Sequence, residues 1–135
     1  MNTAYRVWDG EQMHYWDDEG LSLTIEGENW YLYGKDTEFI TSNKTAHTAL
    51  MWGTGLKDKN GKVIYDKDIT EESYTHPMSK ENIIDRYVIE RKNGFDRMDH
   101  VSKKEGFYRH LWLRSDEVKV IGNVFENPEL LEGAE

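Results

Sequence analysis

Cysteine is absent from the 135 residues, which excludes disulfides, thiolate metal sites and thiol nucleophiles and fits a reducing compartment. No apolar run approaches the length of a membrane span. The opening residues, Met1-Asn2-Thr3-Ala4-Tyr5-Arg6, lack the apolar core of a signal peptide. These absences predict a soluble, cytoplasmic protein with no membrane partner. Catalytic signatures are missing too. No Walker loop, Gly-x-Gly-x-x-Gly or Gly-x-Ser-x-Gly elbow occurs, and none of His14, His47, His76, His100 and His110 stands three to five residues from another, so no local zinc pattern exists. The expectation is a non-enzyme with no cofactor and no metal.

Apolar residues make up only 37%, yet aromatics reach 13%, with 5 Trp and 8 Tyr. Large rings fill a core with few residues, so this composition is compatible with a folded chain. The length suits one domain, or two small ones sharing a core, without a metal or disulfide staple. The net charge of −9 favours solubility and opposes loose binding to nucleic acid. It is unevenly spread: residues 1–85 and 120–135 are acidic, at −8 and −4, and residues 86–119 carry +3.

Turn chemistry organises the chain as β structure. Asn60-Gly61 and Asn93-Gly94 suit type I′ turns, and each lies between runs of strand formers, with 54–57 and 62–65 about the first and 87–91 and 95–98 about the second. Residues 5–8 and 13–16 form a further hairpin pattern around a polar tip, and 21–26 alternate apolar and polar with period two. Gly27 separates that strand from the aromatic run 30–33, and 108–113 and 118–121 also read as strands. Residues 35–48 and 70–85 are polar and read as loops or irregular connections. Asn127-Pro128-Glu129 predicts a short terminal helix, with Asn127 as cap and Pro128 in the first turn.

Two long blocks together resemble the YopX family of bacteriophage and prophage proteins. They are Thr54-Gly55-Leu56-Lys57-Asp58-Lys59-Asn60-Gly61-Lys62-Val63-Ile64-Tyr65-Asp66-Lys67-Asp68-Ile69 and Val120-Ile121-Gly122-Asn123-Val124-Phe125-Glu126-Asn127-Pro128-Glu129-Leu130-Leu131. The opening Tyr5-Arg6-Val7-Trp8-Asp9 is similar to the family's usual start, so the resemblance spans nearly the whole chain. It implies a mostly β protein: an SH3-like β-barrel over 53–135 ending in a helical turn, with an additional N-terminal β portion, 1–52, packed on it. It implies small accessory phage proteins and no catalytic residues. One departure stands out: the family usually has Gly before the Asp-Ile pair, whereas this chain has Lys67 before Asp68-Ile69.

Candidate chemistry divides three ways. Asp58-Lys59-Asn60-Gly61 matches part of an EF-hand loop, but the first and last ligand positions would fall on Leu56 and Lys67, so a hairpin turn is the better reading. Asp17-Asp18-Glu19 near Asp9, and Asp66 with Asp68, could serve as acid/base or cation groups, yet such runs are usually solvated turns. Among the basic residues of 86–119, Arg91, Lys92, Arg97, Lys103, Lys104 and Arg109 lie among Tyr87, Phe95, Tyr108 and Trp112, the ingredients of a single-strand nucleic-acid surface. The acidic Glu90, Asp96, Asp99 and Glu105 in the same stretch oppose it. Adjacent strand residues face opposite sides, so the pairs Tyr15-Trp16, Trp30-Tyr31 and Met51-Trp52 each send one member outward if they lie in regular strands, and Trp16, Trp30 and Trp52 are interface candidates. The sequence therefore favours a protein-interaction or self-associating module, homo-oligomeric or bound to another protein, over a nucleic-acid-binding accessory protein.

Overall fold

The structure is a computed structural model that describes residues 4–92, 94–101 and 108–131. Lys103, Lys104 and Asn93 therefore lie outside the described residues. The protein is mostly β, with a curled half-barrel sheet, and helical residues among those described are confined to short 3-10 turns. The chain divides into two compact units, Met1–Gly53 and Thr54–Glu135.

In the first unit, β1 (Tyr5–Trp8) pairs antiparallel with β2 (Met13–Tyr15), as the hairpin pattern requires. The tip closes on Asp9, whose carboxylate accepts the N–H groups of Glu11 and Gln12 at 2.8 Å each. The other edge of β1 pairs with the first residues of β6 (Ala49–Lys57). A second, three-stranded sheet has the order β3 (Ser22–Glu26), β4 (Asn29–Tyr33), β5 (Phe39–Ser42). The region 35–48 is therefore not simply irregular: it supplies β5 after a 3-10 turn. Among the described residues of this unit, Val7, Leu32 and Met51 are the fully buried apolar side chains.

In the second unit a five-stranded sheet has the order β11 (Tyr108–His110), β10 (Phe95–His100), β9 (Asn82–Lys92), β8 (Asp68–Thr75), β12 (Lys119–Asn123). The end of β6 lies beside β7 (Val63–Tyr65), and Thr54 Oγ1 donates to Ile64 O at 2.8 Å. Ile64, Tyr87, Ile89, Met98, Leu111 and Val118 form the core cluster. Two sequence expectations fail here. The polar region 70–85, expected as a loop, forms most of the β8–β9 hairpin, paired from Ile69↔Val88 to Thr75↔Asn82. The run 108–113 is a strand only to His110, after which a 3-10 turn, Leu111–Leu113, drops Leu111 into the core.

The turn at Asn60-Gly61 is not type I′. Gly61 has φ +82, but Asn60 is not among the residues with positive φ. Gly61 N–H donates to Asp58 O at 3.0 Å and Asp58 N–H to Lys62 O at 2.8 Å, the pattern of a type I turn followed by a glycine bulge. Asp58 decides this: its Oδ1 accepts from the N–H groups of Asn60 and Lys62, both at 2.9 Å, and its Oδ2 accepts from Val120 of β12 at 2.8 Å. At the C-terminal end, the short helix expected from Asn127-Pro128 is a single 3-10 turn, Pro128–Leu131. The Asn127 side chain turns backward instead of capping it, and its Oδ1 accepts from Asn123 N–H at 3.2 Å. Gly122 makes room for this, since a Cβ there would lie 2.4 Å from Asn127 Oδ1.

Candidate binding surfaces

Strand register decides which candidate residues meet, because directly paired residues project to the same face. On the five-stranded sheet, Arg97 pairs with Glu90 and His110, and Lys92 with Phe95, so these side chains share the face that carries Tyr108, the partner of Asp99. Arg91 pairs with Asp96, and Arg109 with Met98, which places them on the opposite, core-bearing side. The described members of the basic set are thus split between two faces, and the structure does not bring them together.

Their charges are also largely matched. Arg91 reaches Asp96 Oδ2 at 3.4 Å and Gly94 O at 3.3 Å. Arg97 donates to Asp99 Oδ1 at 2.9 and 3.2 Å while its guanidinium lies 3.9 Å from the centre of the Tyr108 ring. Arg86 is held by Glu71 at 3.2 Å, and Arg114 by Glu72. Lys92 and Arg109 are exposed and make no ion pair with described residues. Trp112, one of the rings that the sequence places in this stretch, is 65% exposed in the 3-10 turn after β11.

Asp9, Asp18 and Asp68 are structural. Asp9 accepts His14 Nε2 at 2.8 Å besides its two backbone donors. Burial pushes its pKa up, but the bonds from Gln12, His14 and Glu11 outweigh this and hold it below the usual value. Asp18 Oδ2 accepts Tyr15 N–H at 2.9 Å. Asp66 and Asp68 do not flank a solvated turn as expected: Asp68 is buried and accepts Tyr65 N–H at 2.7 Å, and burial raises the pKa of half-buried Asp66. Among the described residues no group of three or more His, Asp or Glu could hold a metal ion.

The aromatic candidates behave differently. Tyr5 pairs with Trp52 across β1 and β6, and their rings meet edge to face at 6.0 Å. On the other side, Trp16, in the turn that follows β2, donates its N–H to Tyr5 O at 3.0 Å. Trp16 and Trp52 thus lie on either side of Tyr5, Trp16 joined to it through its backbone and Trp52 through its ring, in the row Trp16–Tyr5–Trp52. The two outer rings are 43% and 44% exposed. The outer backbone edge at Tyr15 is closed, because Asp18 both accepts its N–H and donates to its carbonyl at 2.8 Å. Trp30 is not part of this row: it is half-buried in β4, opposite Ile25. Tyr5 is not among the sequence candidates for this surface, although the sequence marks its strand.

A small, mostly β module with an exposed aromatic row and no described metal cluster is the class that fold and surface define. The family model for the YopX protein matches residues 4–132. The SPbeta prophage-derived uncharacterized protein YopX of Bacillus subtilis strain 168 is 41% identical, with 98% of each chain covered. The chain belongs to the YopX family, as its two long sequence blocks imply. The crystal structure of YopX from Bacillus subtilis is similar over 100% of both chains, with a TM-score of 0.77 and 40% identity. A crystal structure of an Enterococcus faecalis protein, 24% identical and covering 96% of this chain and 97% of that one, shares the fold at a TM-score of 0.54. No helix among the described residues is long and apolar enough to cross a membrane.

Proposed function

We propose that this chain is a non-enzymatic accessory protein of a phage or prophage, cytoplasmic in the host, that docks a protein partner through the row Trp16–Tyr5–Trp52. The curled sheet of the second unit is read as an SH3-like barrel wall that serves as scaffold. The observation that carries the proposal is the pair of tryptophans, each more than two-fifths exposed, one on either side of Tyr5. Apolar surface left in water forgoes roughly 25 cal/mol per Å². Tryptophan and tyrosine are also the residues that most often carry binding energy when a partner covers them. The prophage-derived relative supports the accessory role. In the test, immobilised parent protein and the W16A/W52A variant are each presented with lysate of a host bacterium before and after prophage induction. The parent retains a partner that the variant loses. Identical retention by both removes the row from the function.

A second reading, nucleic-acid binding, draws on the Arg97 guanidinium over Tyr108 and on exposed Trp112. It is weaker, because most of the arginines there are committed to carboxylates and the basic groups divide between two faces.

A further inference from the structure

From the row and its electrostatic setting, we infer that the partner presents a cationic segment, with arginine or lysine side chains laid over Trp16 and Trp52 and their charges met by Asp17 and Glu19. The inference rests on the binding reading above and gives the occupant its chemistry.

Charge supplies the first argument. The unit Met1–Gly53 holds three basic against nine acidic side chains. Arg6, one of the three, is 2% exposed, and Lys44 sits 5.6 Å from the centre of the Tyr31 ring. Little positive charge is left to oppose a cation. A nucleic-acid backbone or an acidic peptide would be repelled from this unit, whereas a basic segment is drawn to it.

The second argument is local. Asp17, Asp18 and Glu19 directly follow Trp16, and all are exposed. Asp18 is engaged at the Tyr15 edge, which leaves the carboxylates of Asp17 and Glu19 to face a ligand. The same contact blocks β2 from accepting an added strand at that residue, so the occupant binds by its side chains over the face of the sheet. Cations settle over indole faces, and tryptophan is the strongest such acceptor among the side chains. Two exposed indoles on either side of Tyr5 offer two such faces to one segment.

The test uses a short fluorescein-labelled peptide of alternating arginine and glycine, a matched peptide with glutamate in place of arginine, and an oligothymidylate strand, each titrated against the full chain by anisotropy at low salt. The arginine peptide binds saturably and the other two do not. Trp16→Ala and Trp52→Ala each weaken binding about fivefold, and Asp17→Asn with Glu19→Gln weakens it comparably. Each variant is folded at the assay temperature, as thermal unfolding checks, although Trp52→Ala lowers the midpoint by removing the ring contact with Tyr5. Absence of saturable arginine-peptide binding overturns the inference, as does binding that the tryptophan variants leave unchanged, which marks diffuse attraction alone. Self-association of the parent that W16A/W52A abolishes also overturns it, by assigning the row to a second copy of the chain. If the lysate partner is lost with the tryptophans but the arginine peptide does not bind, only the cationic chemistry fails. If retention ignores the tryptophans, the docking reading falls with it.

Discussion

The carboxylate of Asp58 ties the β6–β7 turn to β12, through Asn60 and Lys62 on one oxygen and Val120 on the other. Burial pushes its pKa up, but the N–H groups of Val120, Lys62 and Asn60 and the Lys62 charge outweigh this and hold it below the ordinary 3.8. A carboxylate with a lowered folded pKa binds fewer protons folded than unfolded. Its stabilisation is full above about pH 3.8 and fades as pH falls through the lower folded value. Asp58→Ala strands three backbone donors and is expected to cost about 3 kcal/mol at pH 7. In urea unfolding the gap to the parent narrows at acid pH, and a gap unchanged down to pH 3 or so would sink this account. Lys67 resolves the departure from the family pattern: it takes φ +70, the conformation that Gly would adopt without cost. Its N–H donates to Ile89 O at 2.7 Å, and its ammonium pairs with Glu90 at 2.5 Å. The left-handed conformation costs a non-glycine residue roughly 1 kcal/mol, and a half-exposed ion pair returns less than that. Lys67→Ala keeps the strain and loses the pair, so its denaturation midpoint falls below the parent's. Lys67→Gly lies about 1 kcal/mol above the alanine variant. Equal midpoints for the two variants would show that no strain is stored there.

At the scale of elements, β8 shows why a strand can hide from sequence patterning. Thr70 and Glu72 lie on its core-bearing face, since Thr70 pairs with Tyr87, and both are buried. The outward Glu71 is held by Arg86 at 3.2 Å across the hairpin. With polar residues on both faces there is no period-two hydrophobic signal, and the pairing that makes the strand is legible only in three dimensions. β1 and β2, whose tip is set by Asp9, and β9 and β10, which meet at Gly94, were legible because turn residues mark them in the sequence. The Glu72–Arg114 pair yields an asymmetric prediction. The Glu72 side chain is 6% exposed and that of Arg114 28%. Removing Arg114 leaves a buried carboxylate uncompensated, whereas removing Glu72 leaves a guanidinium that water and Glu117 can reach. Arg114→Ala is therefore expected to cost about 3 kcal/mol and Glu72→Gln about half as much. Chemical denaturation of the two variants side by side measures this, and the reverse order would contradict the burial argument.

For the whole molecule, the sequence conveyed the β class, whereas where the positive charge can act is decided by strand pairing. A stretch with net +3 reads as a basic surface along the chain, yet strand pairing turns Lys92 and Arg97 to one face and Arg91 and Arg109 to the other. Side-chain pairing then cancels Arg86, Arg91, Arg97 and Arg114 against Glu71, Asp96, Asp99 and Glu72. Charge balance along a sequence counts residues; binding to phosphates depends on how many cations on one face still lack a carboxylate. For the described residues of 86–119 that leaves Lys92 and Arg109, on opposite faces. Each phosphate neutralised on a single strand contributes about −0.7 to the slope of log affinity against log salt. Any attraction to an oligonucleotide is thus expected to be too weak to saturate at physiological ionic strength, with a low-salt slope no steeper than about −1.5. Lys103→Glu with Lys104→Glu tests the part of the basic segment outside the described residues, and this variant should titrate like the parent. A steep slope that the double reversal abolishes would restore nucleic acid as the ligand and place its surface around Lys103 and Lys104.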